Sequence, residues 1–161
     1  MPFKGFYRLN KGQYFDQFSS ALRQLGYEVH HQILSAADFG VPQRRERLFV
    51  VGVRLDLKGK YSFPEPTHGE SSSAQQPHVP LSSVIASVAD VDEKFYFSER
   101  AVQGVKNAKP NMKRALAQDL EKPCLTVTSH LAKVSLNSRD PVLLVDPVRE
   151  RYRRFTPREA A

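Results

Sequence analysis

Phe15, Phe18, Leu22 and Leu25 stand three or four residues apart in an otherwise polar stretch, the spacing that aligns one apolar stripe of a helix over residues 12–25. Gly26 follows where the chain needs a residue able to turn left-handed, so the helix is expected to end there. Beyond it the period shortens. Val29 to Leu34 reads as a strand, and Leu48 to Val53 is apolar on both strand faces, as a strand covered on both sides should be. Between them lies Ala37-Asp38-Phe39-Gly40-Val41-Pro42-Gln43-Arg44-Arg45-Glu46-Arg47, punctuated by Gly40 and Pro42. With pairing beginning near Arg45, a period of two puts Arg45 and Arg47 on one face and Arg44 on the other. His30 and His31 point to opposite faces without a carboxylate or cysteine to make a site, and both read as structural.

The pattern shifts from Pro64 to Pro80, where Pro66, Pro77, Gly69 and Ser71-Ser72-Ser73 mark a loop or linker. After it, Ser82 to Val88 predicts a short helix with Leu81, Ile85 and Val88 inward. Lys94 to Phe97 predicts a strand, Ser98 to Asn107 a helix, and Leu125 to Thr128 and Val142 to Val145 two more strands. Thr156-Pro157-Arg158-Glu159 carries the signals of a helix start: a threonine cap, proline at the first position, and a glutamate three residues after the cap.

Charge narrows the choice of partner. Lys and Arg number 24 against 17 Asp and Glu, a net charge of +7 and a pI near 9.7. Such a field speeds encounters with polyanions and supplies salt-sensitive affinity for nucleic acid. The basic residues concentrate between Arg44 and Lys60, Lys106 and Arg114, and Arg149 and Arg158. No apolar run is long enough to span a membrane and no signal-peptide core follows Met1, so an intracellular, soluble protein is expected. The single cysteine, Cys124, excludes an intrachain disulfide and a thiolate zinc cluster. The eight glycines never fall within six residues of one another, so the chain has no Gly-x-Gly loop to cradle a phosphate or cofactor.

Two segments carry candidate chemistry. Paired guanidinium groups at the start of a strand suit phosphate oxygens or the polar edge of a base; the alternative is a salt-bridged rim with Glu46 between its partners. The run from Gln103 to Arg114 combines turn residues with Lys106, Asn107, Lys109, Lys113 and Arg114, side chains that contact phosphates and base edges. Its alternative is a solvated basic loop.

The stretch from Asp38 to Arg47 resembles the eighth conserved block of the DNA (cytosine-5) methyltransferases. Lys122-Pro123-Cys124-Leu125-Thr126-Val127-Thr128 is similar to the block closing that family's target-recognition region, and Tyr152 to Ala161 to the opening of its last block. Lys4-Gly5-Phe6 and the helix ending at Leu25-Gly26-Tyr27 look like the seventh. The resemblance implies an α/β fold: the C-terminal portion of a doubly wound, Rossmann-like sheet joined to a smaller, mostly β target-recognition domain. Residues 1–57 would be the late catalytic domain, 58–80 a linker, 81–146 the recognition domain and 147–161 a truncated return.

It further implies transfer of a methyl group from S-adenosylmethionine to carbon 5 of a cytosine flipped out of duplex DNA, after a cysteine thiolate adds to carbon 6. Arg47 would hydrogen-bond the cytosine O2 and favour the developing negative charge, and Arg45 would orient neighbouring groups or phosphate. Gln43 and Glu46 would fix the loop, with Gln43 also near DNA, while His130 and Lys133 would touch DNA by family position. Pro123-Cys124 is not the family's nucleophile, because that residue lies upstream of the arginine loop. The cofactor loop, the Glu-Asn-Val block and the nucleophile block are absent, so the chain alone is expected to be inactive. A second chain could supply them. The setting implied is restriction-modification in a bacterial cytoplasm, close to the nucleoid. The competing readings are a non-enzymatic DNA-binding module and an inactive remnant.

Overall fold

The computed structural model describes residues 4–57, 59–70, 73, 76–107, 117–127 and 141–160. It is a mixed α/β fold. The first layer is helical: α1 (Lys4–Arg8), a 3₁₀ turn at Leu9–Gly12, and α2 (Gln13–Gln24). Asn10 and Lys11 adopt left-handed angles (φ 49° and 57°), and Gly12 follows at φ 93°. This reversal lays α1 back on α2, where the Phe6 ring meets Phe15 and Phe18 edge-on at 6.0 and 5.9 Å. Gly26 (φ 86°) closes α2 at the expected place. Only part of the α2 stripe is covered: Phe15 is buried, but Phe18 and Leu25 stay 42% and 74% exposed.

The helix packs on a long antiparallel ribbon of β1 (Tyr27–Ser35) and β3 (Glu46–Arg54), paired from Tyr27 opposite Arg54 to Ser35 opposite Glu46. Both strands are longer than the apolar runs that predict them, because polar ends join the ladder once its register is set. The expectation that Leu48 to Val53 is covered on both faces is not met: Phe49 is 48% exposed, and no residue of β3 is buried. Within the described residues this ribbon has no third strand, and the ring contacts onto it come from α1 and α2, through Tyr7 and Phe15 on His31, and from Tyr61 after β3, on His30. The two histidines serve packing. His31 lies 4.7 Å from the Phe15 ring and His30 lies 5.5 Å from Tyr61, but the expectation that neither has a carboxylate nearby is not met, since His30 Nε2 is 3.5 Å from Glu28 Oε1.

A second region holds most of the buried residues. Leu81, Cys124, Leu143 and Phe155 form one cluster, and Val102, Val142 and Tyr152 another. These bring together α3 (Glu99–Lys106), β4 (Cys124–Leu125), β5 (Leu143–Asp146) and β6 (Arg151–Arg153), with β5 and β6 antiparallel, and α4 (Pro157–Ala160) closing the chain. The helix predicted from Ser82 to Val88 is instead two short 3₁₀ turns, Leu81–Val84 and Val88–Asp90, and Val88 is 43% exposed rather than inward. Serines and an extended Ile85 break the turn. The strand predicted from Lys94 to Phe97 is a 3₁₀ turn, Glu93–Phe95, followed by bridge pairing of Tyr96 with Arg153. Described strand between residues 81 and 146 is limited to β4 and β5, so the mostly β character expected there is not seen in the described residues.

Among the described residues, three contacts tie the two regions. β2 (Gln43–Arg44) pairs in parallel with β4, the Cys124 amide donates to the Pro42 carbonyl at 2.9 Å, and the Thr126 hydroxyl donates to the Arg44 carbonyl at 2.9 Å. The described part of the linker is also stitched down. The amides of Thr67 and His68 both donate to the Asp38 carbonyl, and His78 Nε2 sits 2.9 Å from the Asp38 carboxylate. Gly40 is left-handed (φ 81°), a conformation that favours glycine, and a Cβ there would come to 3.0 Å from the His68 ring, which would have to shift by a few tenths of an ångström.

A buried ion pair locks the C-terminal end. Arg153, with no exposed side-chain surface, donates through Nη1 to Glu159 Oε2 at 2.7 Å and through Nη2 to Oε1 at 2.6 Å. The Thr156 amide donates to Glu159 Oε2 at 2.8 Å and the Glu159 amide to the Thr156 hydroxyl at 3.3 Å, the reciprocal cap the sequence predicts. The Ala86 amide adds a bond to Oε1 at 2.7 Å, which carries the pair across to the 3₁₀ turns.

Candidate functional site

Ala36 to Arg47 forms a tight crossover between the long strands. The 3₁₀ turn Ala36–Phe39 ends at Gly40, and the chain doubles back through bonds from the Val41 amide to Ala36 (3.2 Å) and from the Ala36 amide to Arg45 (3.1 Å). This closure holds the three arginines at the head of β3. Arg45 and Arg47 open into one cleft of about 500 Å³, shared with Phe39, Phe49, Tyr61 and Phe63. Arg44 lines a different cleft of about 750 Å³ with Asp38, Gln76 and His78. The face assignment made from strand alternation therefore describes the arginines correctly.

Arg47 is the more enclosed of the pair. Its Nη1 donates to the Glu46 carbonyl at 2.7 Å, and burial, then repulsion from Arg45, lowers its proton affinity below that of an ordinary arginine. Two adjacent guanidinium groups beside aromatic walls suit an electron-rich, hydrogen-bond-accepting planar group.

Cys124 faces the core at 2% exposure, where burial raises its thiol to about 12. At pH 8 the thiolate fraction is then only roughly one in ten thousand. Iodoacetamide at that pH is expected to modify the native chain far more slowly than the urea-unfolded chain, as read by mass spectrometry; equal rates would contradict the burial.

The other candidate positions are dispersed. Gln43 is opposite Cys124 in the β2–β4 pair. Lys106 ends α3 and forms a close ion pair with Glu150, and the Asn107 amide donates back to Gln103. Lys109, Lys113, Arg114, His130 and Lys133 lie outside the described residues. The basic cluster from Arg149 to Arg158 is largely engaged with the protein itself. Arg151 makes two 2.7 Å bonds to Glu93 and stacks 4.1 Å over Tyr96, while Arg153 belongs to Glu159. The capping signature reveals Glu159 in the sequence, but nothing local marks Arg153 as its partner. The Asp38–His78 pair and the aromatic residues Tyr61 and Phe63 were likewise passed over, since each joins the arginine segment only through the fold.

Among the described residues, no group of three or more His, Cys, Asp or Glu could hold a metal ion, and no helix is long and apolar enough to cross a membrane. The isolated glycines and the buried thiol also do not fit S-adenosylmethionine or a nucleophile block, so neither part is assigned to this chain.

Residues 3–161 match the family model described as C-5 cytosine-specific DNA methylase, and the chain belongs to that family. It is 37% identical over 97 residues to Type II methyltransferase M.BsuRI of Bacillus subtilis, a match covering 59% of this chain and 21% of that protein. Against Type II methyltransferase M1.ScrFI of Lactococcus lactis subsp. cremoris it is 30% identical over 156 residues, covering 94% of this chain and 38% of that protein. Among solved structures it is similar to S. pombe Dnmt2 methyltransferase, with a TM-score of 0.65 and 15% identity over 98% of this chain and 50% of that one. A Spodoptera frugiperda DNMT2 mutant gives a TM-score of 0.63 at 18% identity, covering 90% of this chain and 49% of that one. The chain thus spans well under half the length of these curated relatives and about half of these solved chains.

Proposed function

We propose that this chain is the late catalytic and target-recognition portion of a DNA cytosine-5 methyltransferase, acting on duplex DNA with S-adenosylmethionine as methyl donor. The carrying observation is the pairing of Arg45 and Arg47 in one aromatic-walled cleft while Arg44 is directed elsewhere. In this reading residues 1–57 belong to a Rossmann-like catalytic sheet, 58–80 lead out of it, 81–146 recognise the target sequence, and 147–161 return. Flipping a cytosine costs a few kcal/mol of unstacking that pocket contacts must offset. Arg47 donates to the cytosine O2 and favours the negative charge that builds on the ring as a thiolate adds at carbon 6. Arg45 steers the nucleotide's phosphate or orients its neighbour. Lys106, Asn107, Lys109, Lys113, Arg114, His130 and Lys133 supply DNA contacts, with Gln43 holding the loop close to DNA.

The thiolate, and most of the residues that would bind the methyl donor, come from blocks outside this sequence, either on the same polypeptide or on a second chain. S-adenosylmethionine, when bound there, would supply the methyl group.

A trap tests the proposal. 5-Fluorocytosine cannot lose a proton from carbon 5, so a ring held for attack stays bonded to the attacking sulfur. A related methyltransferase half carrying the cysteine and glycine-rich blocks is mixed with this chain, methyl donor and a mixed-sequence duplex containing 5-fluorocytosine. A denaturing gel is expected to show a DNA–protein adduct only when this chain is present. Salt-sensitive duplex binding without any adduct, from halves shown to fold and associate, would instead favour the non-enzymatic binding module.

A further inference from the structure

We infer that Tyr61 and Phe63 form the stacking wall of the base pocket, a step that rests on the function proposed above. Both side chains share the cleft of Arg45 and Arg47, yet they come from the irregular segment after β3. Their placement is fixed by ring contacts. Tyr61 sits 5.5 Å from His30 on β1, and Phe63 meets Tyr61 edge-on at 5.1 Å and 84°. Both remain half-buried, which leaves ring surface facing the cleft.

The chemistry of the cleft selects the ligand. Guanidinium groups only donate, so the ligands they favour are a phosphate or the acceptor edge of a base. Aromatic surface adds nothing for a bare phosphate, whereas a heterocycle stacks against it. A volume of about 500 Å³ is within the range of small-ligand clefts and accommodates a nucleotide. The combination therefore fits a nucleobase with its acceptor edge toward the arginines and its face or edge against Tyr61 and Phe63. These two are positioning residues, setting the plane of the ring that Arg47 holds.

The test uses the whole chain, with deoxycytidine 5′-monophosphate and deoxyribose 5-phosphate as probes. In NMR titrations the nucleotide is expected to move the ring signals of Tyr61 and Phe63, and the base-free sugar phosphate to leave them in place. A double variant, Tyr61→Leu with Phe63→Leu, keeps apolar volume but has no π face. It is expected to bind the nucleotide on the order of 10-fold more weakly, with sugar phosphate binding, which also reports that the cleft is folded, unchanged. Ring signals unmoved by the nucleotide, or wild-type affinity in the double variant, would overturn the wall. Either result beside a positive 5-fluorocytosine trap discards the wall alone; a negative trap discards the pocket reading itself.

Discussion

Glu159→Gln is expected to lower the unfolding free energy by about 3–5 kcal/mol, the usual cost of removing one partner from a buried pair. The variant keeps size and one acceptor but leaves Arg153, with no exposed side-chain surface, charged and without its counter-ion. It also weakens the bonds from the Thr156 and Ala86 amides that join α4 to the 3₁₀ turns. Replacing both partners, Arg153→Met with Glu159→Leu, should recover only part of the loss: hydrophobic replacement of the pair itself is often neutral, but the Thr156 and Ala86 amides still lose their acceptor. Urea unfolding midpoints check both statements. Acid gives an independent reading. Burial opposes the charge on Glu159, but hydrogen bonds from Arg153, Thr156 and Ala86 outweigh it and hold the carboxyl at about 2 instead of 4.5. Because the folded value is depressed, this stability is fully present above about 4.5 and is lost as pH falls toward about 2. Its size is about 3 kcal/mol, and the Glu159→Gln chain should lack that part of the acid transition.

Arg47→Ala, placed in a methyl-transferring mixture of this chain and a complementary half, is expected to slow single-turnover transfer by about 10²- to 10³-fold, the range for removing one donor aimed at developing charge. Arg45→Ala should act more through duplex affinity and, having lost a phosphate contact, should bind duplex with a shallower dependence on salt. Arg44→Ala is the internal control, because its side chain opens into the cleft beside Asp38 and His78. Equal loss from all three variants would mean that the cluster acts as undirected charge, not as a pocket.

How much of this was readable in the sequence depends on the range of the interactions. Gly26 ending α2, the alternation that separates Arg44 from Arg45 and Arg47, and the Thr156–Glu159 cap are local, and a few neighbouring residues encode each. Val88 was misplaced because periodicity cannot register that the serines and the extended Ile85 divide the expected helix into 3₁₀ turns. In the sequence Arg153 is one more residue of the basic run from Arg149 to Arg158; only packing against Glu159 and Ala86 turns it inward. Composition marked residues 64–80 as a linker, yet Asp38 ties Thr67, His68 and His78 to the arginine loop. That contact spans up to 40 residues and has no sequence signature. Tyr61 and Phe63 were missed for the same reason.

The central claim is that this chain supplies the part of the pocket that holds the target cytosine. Its most direct test is transfer of labelled methyl groups from S-adenosylmethionine to mixed-sequence duplex DNA, by this chain alone, with a complementary half, and with Arg47→Ala in that mixture. Label is expected in DNA only in the second case, with a rate that collapses in the third. Label carried equally by the complementary half without this chain, or an undiminished rate with Arg47→Ala, would contradict it.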